Sequence, residues 1–489
     1  MGRDDAVQRL SRSSLLSLPE DISRPAYLDN ATGVGIVHFG VGNFHRAHQA
    51  MYVDRLLSSG VGREWAICGI GLLERDAGMR DALNGQDGLY TLTLRHPDGT
   101  DEVGVIGSIR RFLHAPDDLS TVLEQLAEPA VRIVSLTITE GGYVEDPTSG
   151  KRAADDPLVV AEARSALTEP RTAFGWIAAA LRERRRRGTP PFTVMSCDNI
   201  PGNGGVTRQS VVAVARLVDP ELGDWIATEV AFPSTMVDRI TPVTVEADRQ
   251  RIRERAGVED AWPVASEPFT QWVIEDNFPT GRPDFESVGA TVVDDVHAYE
   301  MIKIRLLNGG HQALAYIGQL AGYAYVHDAL ADPRIEAFVR DYMMTEGVPT
   351  LSVPAGFDLP GYIEELFRRF GNPGIADTLA RLGADASNRI PKFVAPTLRD
   401  RVAAGSDARA GARLIASWRA FNREAALGRF VLDDESAQHL LDVSAGEAGD
   451  FLTAFSALAP LADSDKFVAA YMDAVQRLEA GGADALLAD

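Results

Sequence analysis

Four short apolar runs, spaced along the first two-fifths of the chain, constrain its fold more than any other feature. They are Gly35-Ile-Val-His-Phe39, Trp65-Ala-Ile-Cys-Gly-Ile70, Val131-Arg-Ile-Val-Ser-Leu-Thr-Ile138 and Phe192-Thr-Val-Met-Ser-Cys197. Their length and β-branched content read as strands. Helical patterns lie between them, at about 46–57 and at 173–187. Strands that alternate with helices predict a parallel α/β sheet. From about residue 295 the pattern changes. Helix formers dominate over 303–325, 333–345, 361–370, 374–382, 409–426 and 436–441, and strand candidates nearly vanish. The chain therefore reads as a parallel-sheet domain over 1–294 followed by a mostly α-helical domain over 295–489. Apolar material between 222 and 294 fits either side of that boundary. Residues 1–30, broken by Pro19 and Pro25, read as an extended arm.

Composition narrows the class of partner. The 489 residues carry a formal net charge of -22. Phosphate backbones need a basic face, so a nucleic-acid partner is not expected. The basic run Arg184–Arg187 stands just before Gly188. There it reads as cations at the negative end of a helix rather than as a nucleic-acid patch. Cys68 and Cys197 both sit in strand-like runs and form no CxxC pair, which suits buried thiols in a reducing cytoplasm. The first residues lack the apolar core of a secretory leader, and position six is Ala, so the acylation pattern fails. No run approaches 18 apolar residues, so no transmembrane helix is expected.

The segment Gly40-Val41-Gly42-Asn43-Phe44-His45-Arg-Ala-His48 follows a strand and opens a helix. That is the setting of a dinucleotide loop in a Rossmann-type domain. Gly40 permits the tight turn, Gly42 lets backbone approach a pyrophosphate, and the helix N-terminus stabilises it. His45 stands where a third glycine is usual. Past the second strand come Glu74, Arg75 and Asp76. A carboxylate there would bond a ribose 2′-hydroxyl and repel a 2′-phosphate. Asp76 is the better candidate, so NAD is favoured over NADP, while Arg75 leaves dual use open. His45 and His48 lie three apart, but no third ligand and no H-E-x-x-H motif accompany them. Contact with the cofactor, or a packed structural role, is expected of them rather than a metal.

Lys303, Asn308 and His311 lie five and eight residues apart in Lys303-Ile-Arg-Leu-Leu-Asn308-Gly-Gly-His311. At about 100° per residue, an α-helix would put Asn308 near 140° and His311 near 80° from Lys303. A base, an amide donor and an imidazole on one side of a helix suit proton removal from an alcohol whose oxygen becomes a carbonyl. The plain alternative is a surface lysine, a helix-end asparagine and an interior histidine. A protonated lysine accepts nothing, so burial or a cationic neighbour such as Arg239 or Arg305 must favour its neutral form. Gly309 and Gly310 would allow close approach of backbone or ligand, or simply pack helices. Tyr299 stands four residues before Lys303, a Y-x-x-x-K pattern. It lies far from the glycine loop, so Tyr299 is not expected to be the acid.

These segments together resemble the polyol-specific long-chain dehydrogenase/reductase family. The resemblance covers nearly the whole chain. It rests on 35–52, on Leu136-Thr-Ile-Thr-Glu-Gly-Gly-Tyr143, on Ser196-Cys-Asp-Asn199-Ile-Pro, on Phe232-Pro-Ser-Thr-Met-Val-Asp238-Arg239-Ile-Thr-Pro242, and on Lys303, Asn308 and His311. It implies that Lys303 is the general base and that Asn199 and Asn308 hold the substrate oxygen. His311 would orient the substrate, and Glu300 would relay the proton from Lys303 to water. Asp238, Arg381 and Arg389 would contact the substrate, although a lysine is more usual at the last position. Without the resemblance, Asp238 could equally form a structural salt bridge with Arg239. The implied activity is NAD-dependent interconversion of D-mannitol and D-fructose by hydride transfer at C2, without metal, in a cytoplasmic monomer. Alternatives within the family are a fructuronate or tagaturonate reductase and a sorbitol or arabinitol dehydrogenase. A non-catalytic NAD-binding sensor is the alternative of another class.

Overall fold

A computed structural model describes residues 7–28, 32–145 and 152–488. The chain forms two compact units, Met1–His96 with Thr100–His297, and Pro97–Gly99 with Ala298–Asp489.

The first unit is built on a five-stranded parallel sheet. Its strands are β1 (Val34–Phe39), β2 (Ala66–Gly71), β3 (Ile109–His114), β4 (Ile133–Leu136) and β5 (Thr193–Ser196). Their order across the sheet is β3-β2-β1-β4-β5. That is the doubly wound order, with the reversal at β1. Alternation along each strand feeds two separate cores. Ile36, Ile67, Ile133 and Met195 enter one, with the helix Gln49–Ser58. Val37, Phe39, Cys68, Ile70, Val134, Leu136 and Val194 enter the other, with the helix Ala173–Arg187. The parallel-sheet expectation therefore holds, and both cysteines are buried. Arg184–Arg187 close that helix before Gly188, whose φ is +70°. Arg184 turns inward to the carbonyls of Pro190 and Glu128.

Two expectations change here. The arm over 1–30 is not extended where it is described. Leu10, Leu15, Leu18, Ile22, Tyr27 and Leu28 are buried in the first core, and Gln8–Arg9 pairs with Val258–Glu259. The helical pattern at 46–57 begins earlier, at Asn43, and breaks at His48 into Asn43–Ala47 and Gln49–Ser58. The stretch 222–294 folds with the first unit. It supplies Val264–Ser266 beside the hairpin Tyr90–Arg95/Asp101–Ile106. It also supplies Gln271–Glu275, which lies between Thr235–Asp238 and Thr291–Val293.

The second unit is helical. Gly309–Leu320 is almost wholly buried and packs against Pro333–Asp341, Leu379–Gly383 and Arg409–Ala426. The helix predicted over 374–382 is only Leu379–Gly383, because Ala376 is left-handed (φ +51°) and Thr378 caps a fresh start. The helix predicted from Lys303 starts earlier, at His297, and widens into a π segment over Lys303–Asn308. Among the described residues no helix is long and apolar enough to cross a membrane.

Candidate active site

The glycine turn lies at the carboxyl end of β1, where doubly wound sheets bind ligands. Gly40 has φ +87°, and a Cβ there would stand 2.0 Å from the Thr137 carbonyl oxygen, so only glycine fits. At Gly42 nothing lies within 4 Å of a would-be Cβ, and the residue is exposed. The backbone here is open to a ligand. The helix that starts at Asn43 leaves its first N–H groups without intrahelical acceptors. These features fit a dinucleotide pyrophosphate.

Side chains of the same turn are committed elsewhere. Asn43 Nδ2 donates to Pro242 O (3.1 Å) and Thr244 Oγ1 (2.9 Å), and its Oδ1 accepts from Arg46 (2.7 Å). The His45 ring is 1% exposed and stacks on His38 at 3.5 Å, and neither of its ring nitrogens makes a hydrogen bond. Of the two roles expected of His45, its ring takes the packed one. Val41 is buried against Gly69, and Phe44 is half-buried, stacked on His48. His48 is buried too, its Nε2 beside Gln271 O (3.1 Å). Among the described residues no three metal-binding side chains gather. Asp76 stands just past β2, half-buried, and its Oδ2 accepts from Leu73 N at 2.9 Å.

Beneath the turn runs a buried polar relay absent from the sequence reading. Thr137 Oγ1 donates to Gly40 O (2.7 Å) and meets His38 Nε2 (2.9 Å). His38 Nδ1 meets Ser135 Oγ (2.8 Å), which lies 2.9 Å from the Gln49 amide. Burial pushes the His38 pKa down to about 3, so the ring is neutral. A neutral ring has one N–H. Thr137 spends its proton on Gly40 O and Ser135 donates its own to Gln49 Oε1, so both hydroxyl oxygens are left to accept, and the single ring N–H serves one of them.

A second hub is Asp198, at the end of β5. Its carboxylate accepts from Ile138 N (3.1 Å), Thr139 N (2.8 Å) and Tyr143 OH (2.9 Å). Thr139 is held at φ +63°, a strained angle for a β-branched residue. Burial raises the Asp198 pKa. Its neighbour Asn199 is exposed. In the sequence, the carboxylate inside Ser196-Cys-Asp-Asn199 is the signal for this hub. Asp238 is buried at the end of Thr235–Asp238. Arg239 gives its guanidinium to the carbonyls of Glu267 (3.0 and 2.9 Å) and Ala47 (2.5 Å).

In the second unit Lys303 is 7% exposed and Asn308 8%. The segment carrying them has i→i+5 bonding, shown by Gly309 N–H to Ile304 O. In that wider register residues five apart are neighbours across one turn, so the 140° offset expected for an α-helix does not apply. Lys303 and Asn308 are brought to one side. Glu300, also buried, lies one helical turn before Lys303. His311 is half-buried with its ring 4.4 Å from Phe370. Arg305 turns to Thr350 O (3.0 Å) and Asp400 (2.7 Å), so its charge is compensated. Gly309 and Gly310 serve packing, since Cβ atoms there would meet Tyr342 at 2.9 Å and Met343 at 2.3 Å. Tyr299 packs edge-on to Phe357. Arg381 forms a two-point ion pair with Asp377, at 2.6 and 2.5 Å. Arg389 donates to the carbonyls of Arg381 and Leu382, both at 3.0 Å. Both arginines are thus held by local partners.

Fold and turn together define a dinucleotide-binding α/β protein with an appended helical domain. Two family models cover it: the mannitol dehydrogenase Rossmann domain matches residues 34–287, and the mannitol dehydrogenase C-terminal domain matches residues 295–479. The chain belongs to the mannitol dehydrogenase family. It is 48% identical to mannitol 2-dehydrogenase of Cereibacter sphaeroides over 401 residues, 82% of this chain and 83% of that one. Among solved structures it is similar to the Pseudomonas fluorescens mannitol 2-dehydrogenase ternary complex with NAD and D-mannitol. The identity is 42% and the TM-score 0.86, over 98% of this chain and 99% of that one. It is also similar to a D-sorbitol dehydrogenase in substrate-free form, with 35% identity and a TM-score of 0.90, over 98% and 100%.

Proposed function

We propose that this protein is an NAD-dependent oxidoreductase that interconverts D-mannitol and D-fructose at C2. The observation that carries the reading is its 42% identity, over 98% of its length, with a mannitol 2-dehydrogenase that holds NAD and D-mannitol. In this reading residues 1–294 hold the cofactor and 295–489 supply the base. The open backbone at Gly42 and the enforced turn at Gly40 hold the pyrophosphate, with the N–H groups of Asn43, Phe44 and His45. Asp76 takes the ribose hydroxyls. When bound, NAD accepts the hydride from C2. Lys303 removes the C2 hydroxyl proton as a neutral amine, a form that its burial favours over the ammonium. The amides of Asn308 and Asn199 donate to the oxygen as it gains alkoxide character. His311 orients the sugar, Asp238 binds a more distant hydroxyl, and Glu300 passes the proton on toward solvent. Arg381 and Arg389 would reach the far end of the sugar, each after yielding a present partner. The protein acts as a cytoplasmic monomer with neither metal nor nucleic acid.

The test is NADH oxidation followed at 340 nm with fructose, sorbose, fructuronate, tagaturonate and xylulose in turn. Fructose is expected to turn over fastest, and the reverse reaction is expected with mannitol and NAD. Turnover confined to the uronates would overturn the reading, as would NADH binding without turnover of any sugar.

A further inference from the structure

We propose that a groove at the edge of the first unit's sheet binds a small phosphate monoester, separately from the dinucleotide turn. The groove has a volume of about 380 Å³ and lies against the first residues of β3, the outermost strand of the sheet. Arg12, Arg110 and Arg111 line it, with Asp87, Leu83 and Phe112. The strands run parallel, so the amino end of β3 is opposite the carboxyl ends where Gly40 turns. A ligand here does not occupy the dinucleotide turn.

The groove has a fixed frame. Asp87 and Gly88 are both left-handed, with φ +57° and +79°. A Cβ on Gly88 would lie 2.1 Å from Ile109 O, so the turn is pressed against β3. The Asp87 carboxylate accepts from the backbone N of Arg12 at 3.0 Å, which ties the N-terminal segment to this wall.

Its charge is unusual for this chain. Acidic residues outnumber basic ones, 70 to 48. Elsewhere arginines find carboxylates: Arg187, Arg282 and Arg340 each hold two. Among the described residues Arg12, Arg110 and Arg111 form no ion pair. Arg111 donates to the Gln125 amide oxygen at 2.9 Å. Arg110 Nη2 reaches Leu28 O at a long 3.4 Å, and its Nη1 is buried with no hydrogen bond. Buried donors are ordinarily satisfied, so this one points to a missing acceptor. Burial, and then the like charge of Arg12, hold Arg110 below its usual pKa, with Tyr27 and Asp87 pulling the other way.

The chemistry selects the ligand class. Two guanidinium groups, Arg12 and Arg110, face one carboxylate, Asp87, while Arg111 is held on Gln125, so the groove keeps a net positive charge and a free donor for a phosphate oxygen. Planar guanidinium forks suit phosphate oxygens better than a point charge does. Leu83 and Phe112, both buried, close the floor of the groove.

The experiment is calorimetric titration of the intact protein, saturated with NADH, using glycerol 3-phosphate and inorganic phosphate in separate runs. One equivalent of glycerol 3-phosphate is expected to bind, more tightly than inorganic phosphate. Arg110→Gln and Arg12→Gln should each weaken it about tenfold, while Arg63→Gln, an exposed arginine elsewhere, should leave it unchanged. Turnover of sugar should stay within twofold in both groove variants. Should Arg110→Gln fail to fold, the exposed Arg12 decides alone. The proposal is overturned by no binding at millimolar ligand, by equal binding in the groove variants, by loss of binding when NADH is present, or by binding of inorganic phosphate only. A protein that binds NADH and reduces no sugar would sink the proposed function while leaving this test intact.

Discussion

Lys303 is buried, and the proposed function gives it the proton of the C2 hydroxyl. The Y-x-x-x-K spacing offers Tyr299 as a rival acid, and the two are separable by substitution. Lys303→Ala should lower kcat for mannitol oxidation by roughly 10²–10⁴, the usual worth of a general base. Tyr299→Phe should keep most of the activity, since the ring packs edge-on to Phe357 and phenylalanine preserves that contact. Steady-state rates at saturating NAD decide it, and the reverse ranking would remove Lys303 from the mechanism.

At the scale of elements, the glycine turn is held from below by the segment leaving β4. Thr137 Oγ1 is the group that ties the Gly40 carbonyl to buried His38. Thr137→Val keeps the shape and deletes the bond, worth about 1 kcal/mol net. NADH affinity, read by fluorescence titration, should fall about fivefold, with Thr137→Ser restoring it. Little change in kcat at saturating NAD is expected. Unchanged affinity in Thr137→Val would mean the relay does not position the turn. How far such features were readable depends on where their information lies. β1, β2, β4 and β5 announce themselves because strands buried on both faces are continuous apolar runs. β3 does not, because it is only partly buried and carries charge where it meets solvent, reading Ile109-Arg-Arg-Phe-Leu-His114. Lys303, Asn308 and His311 stood out by residue type and spacing. The angle between them was not readable, because a π segment has no periodicity of its own to read from sequence. His45 looked like part of the ligand surface because its burial against His38 arises only when β1 and the following helix pack. Asp198 and the relay were equally hidden, since their partners come from distant segments joined only by the sheet.

Across the molecule, the buried titratable groups of the first unit pull stability in opposite directions with pH. His38 is held at about 3, against an ordinary 6.5, and burial holds His45 well below 6.5 as well. Below pH 6.5 the unfolded chain takes up protons that these native rings refuse, so their contribution is full above pH 6.5 and is lost as pH falls. Asp54 is raised by burial to about 6, and Asp198 and Glu162 are also raised. The native state holds those protons longer, so their contribution grows on acidification and is lost as pH rises, through about 6 for Asp54. The wild-type curve is a difference of these terms, but removal of one histidine isolates its share. His45→Phe keeps a stacked ring and deletes one titration. Relative to wild type, the variant should gain up to about 1.4 kcal/mol for each pH unit below 6.5. The two should run parallel above pH 7. Urea titrations at pH 7.5, 6 and 5, followed by hydrogen exchange of the β1 peptide, report the first unit directly. Curves that stay parallel down to pH 5 would mean that His45 is charged in the native protein, and the neutral stack with His38 would have to be abandoned.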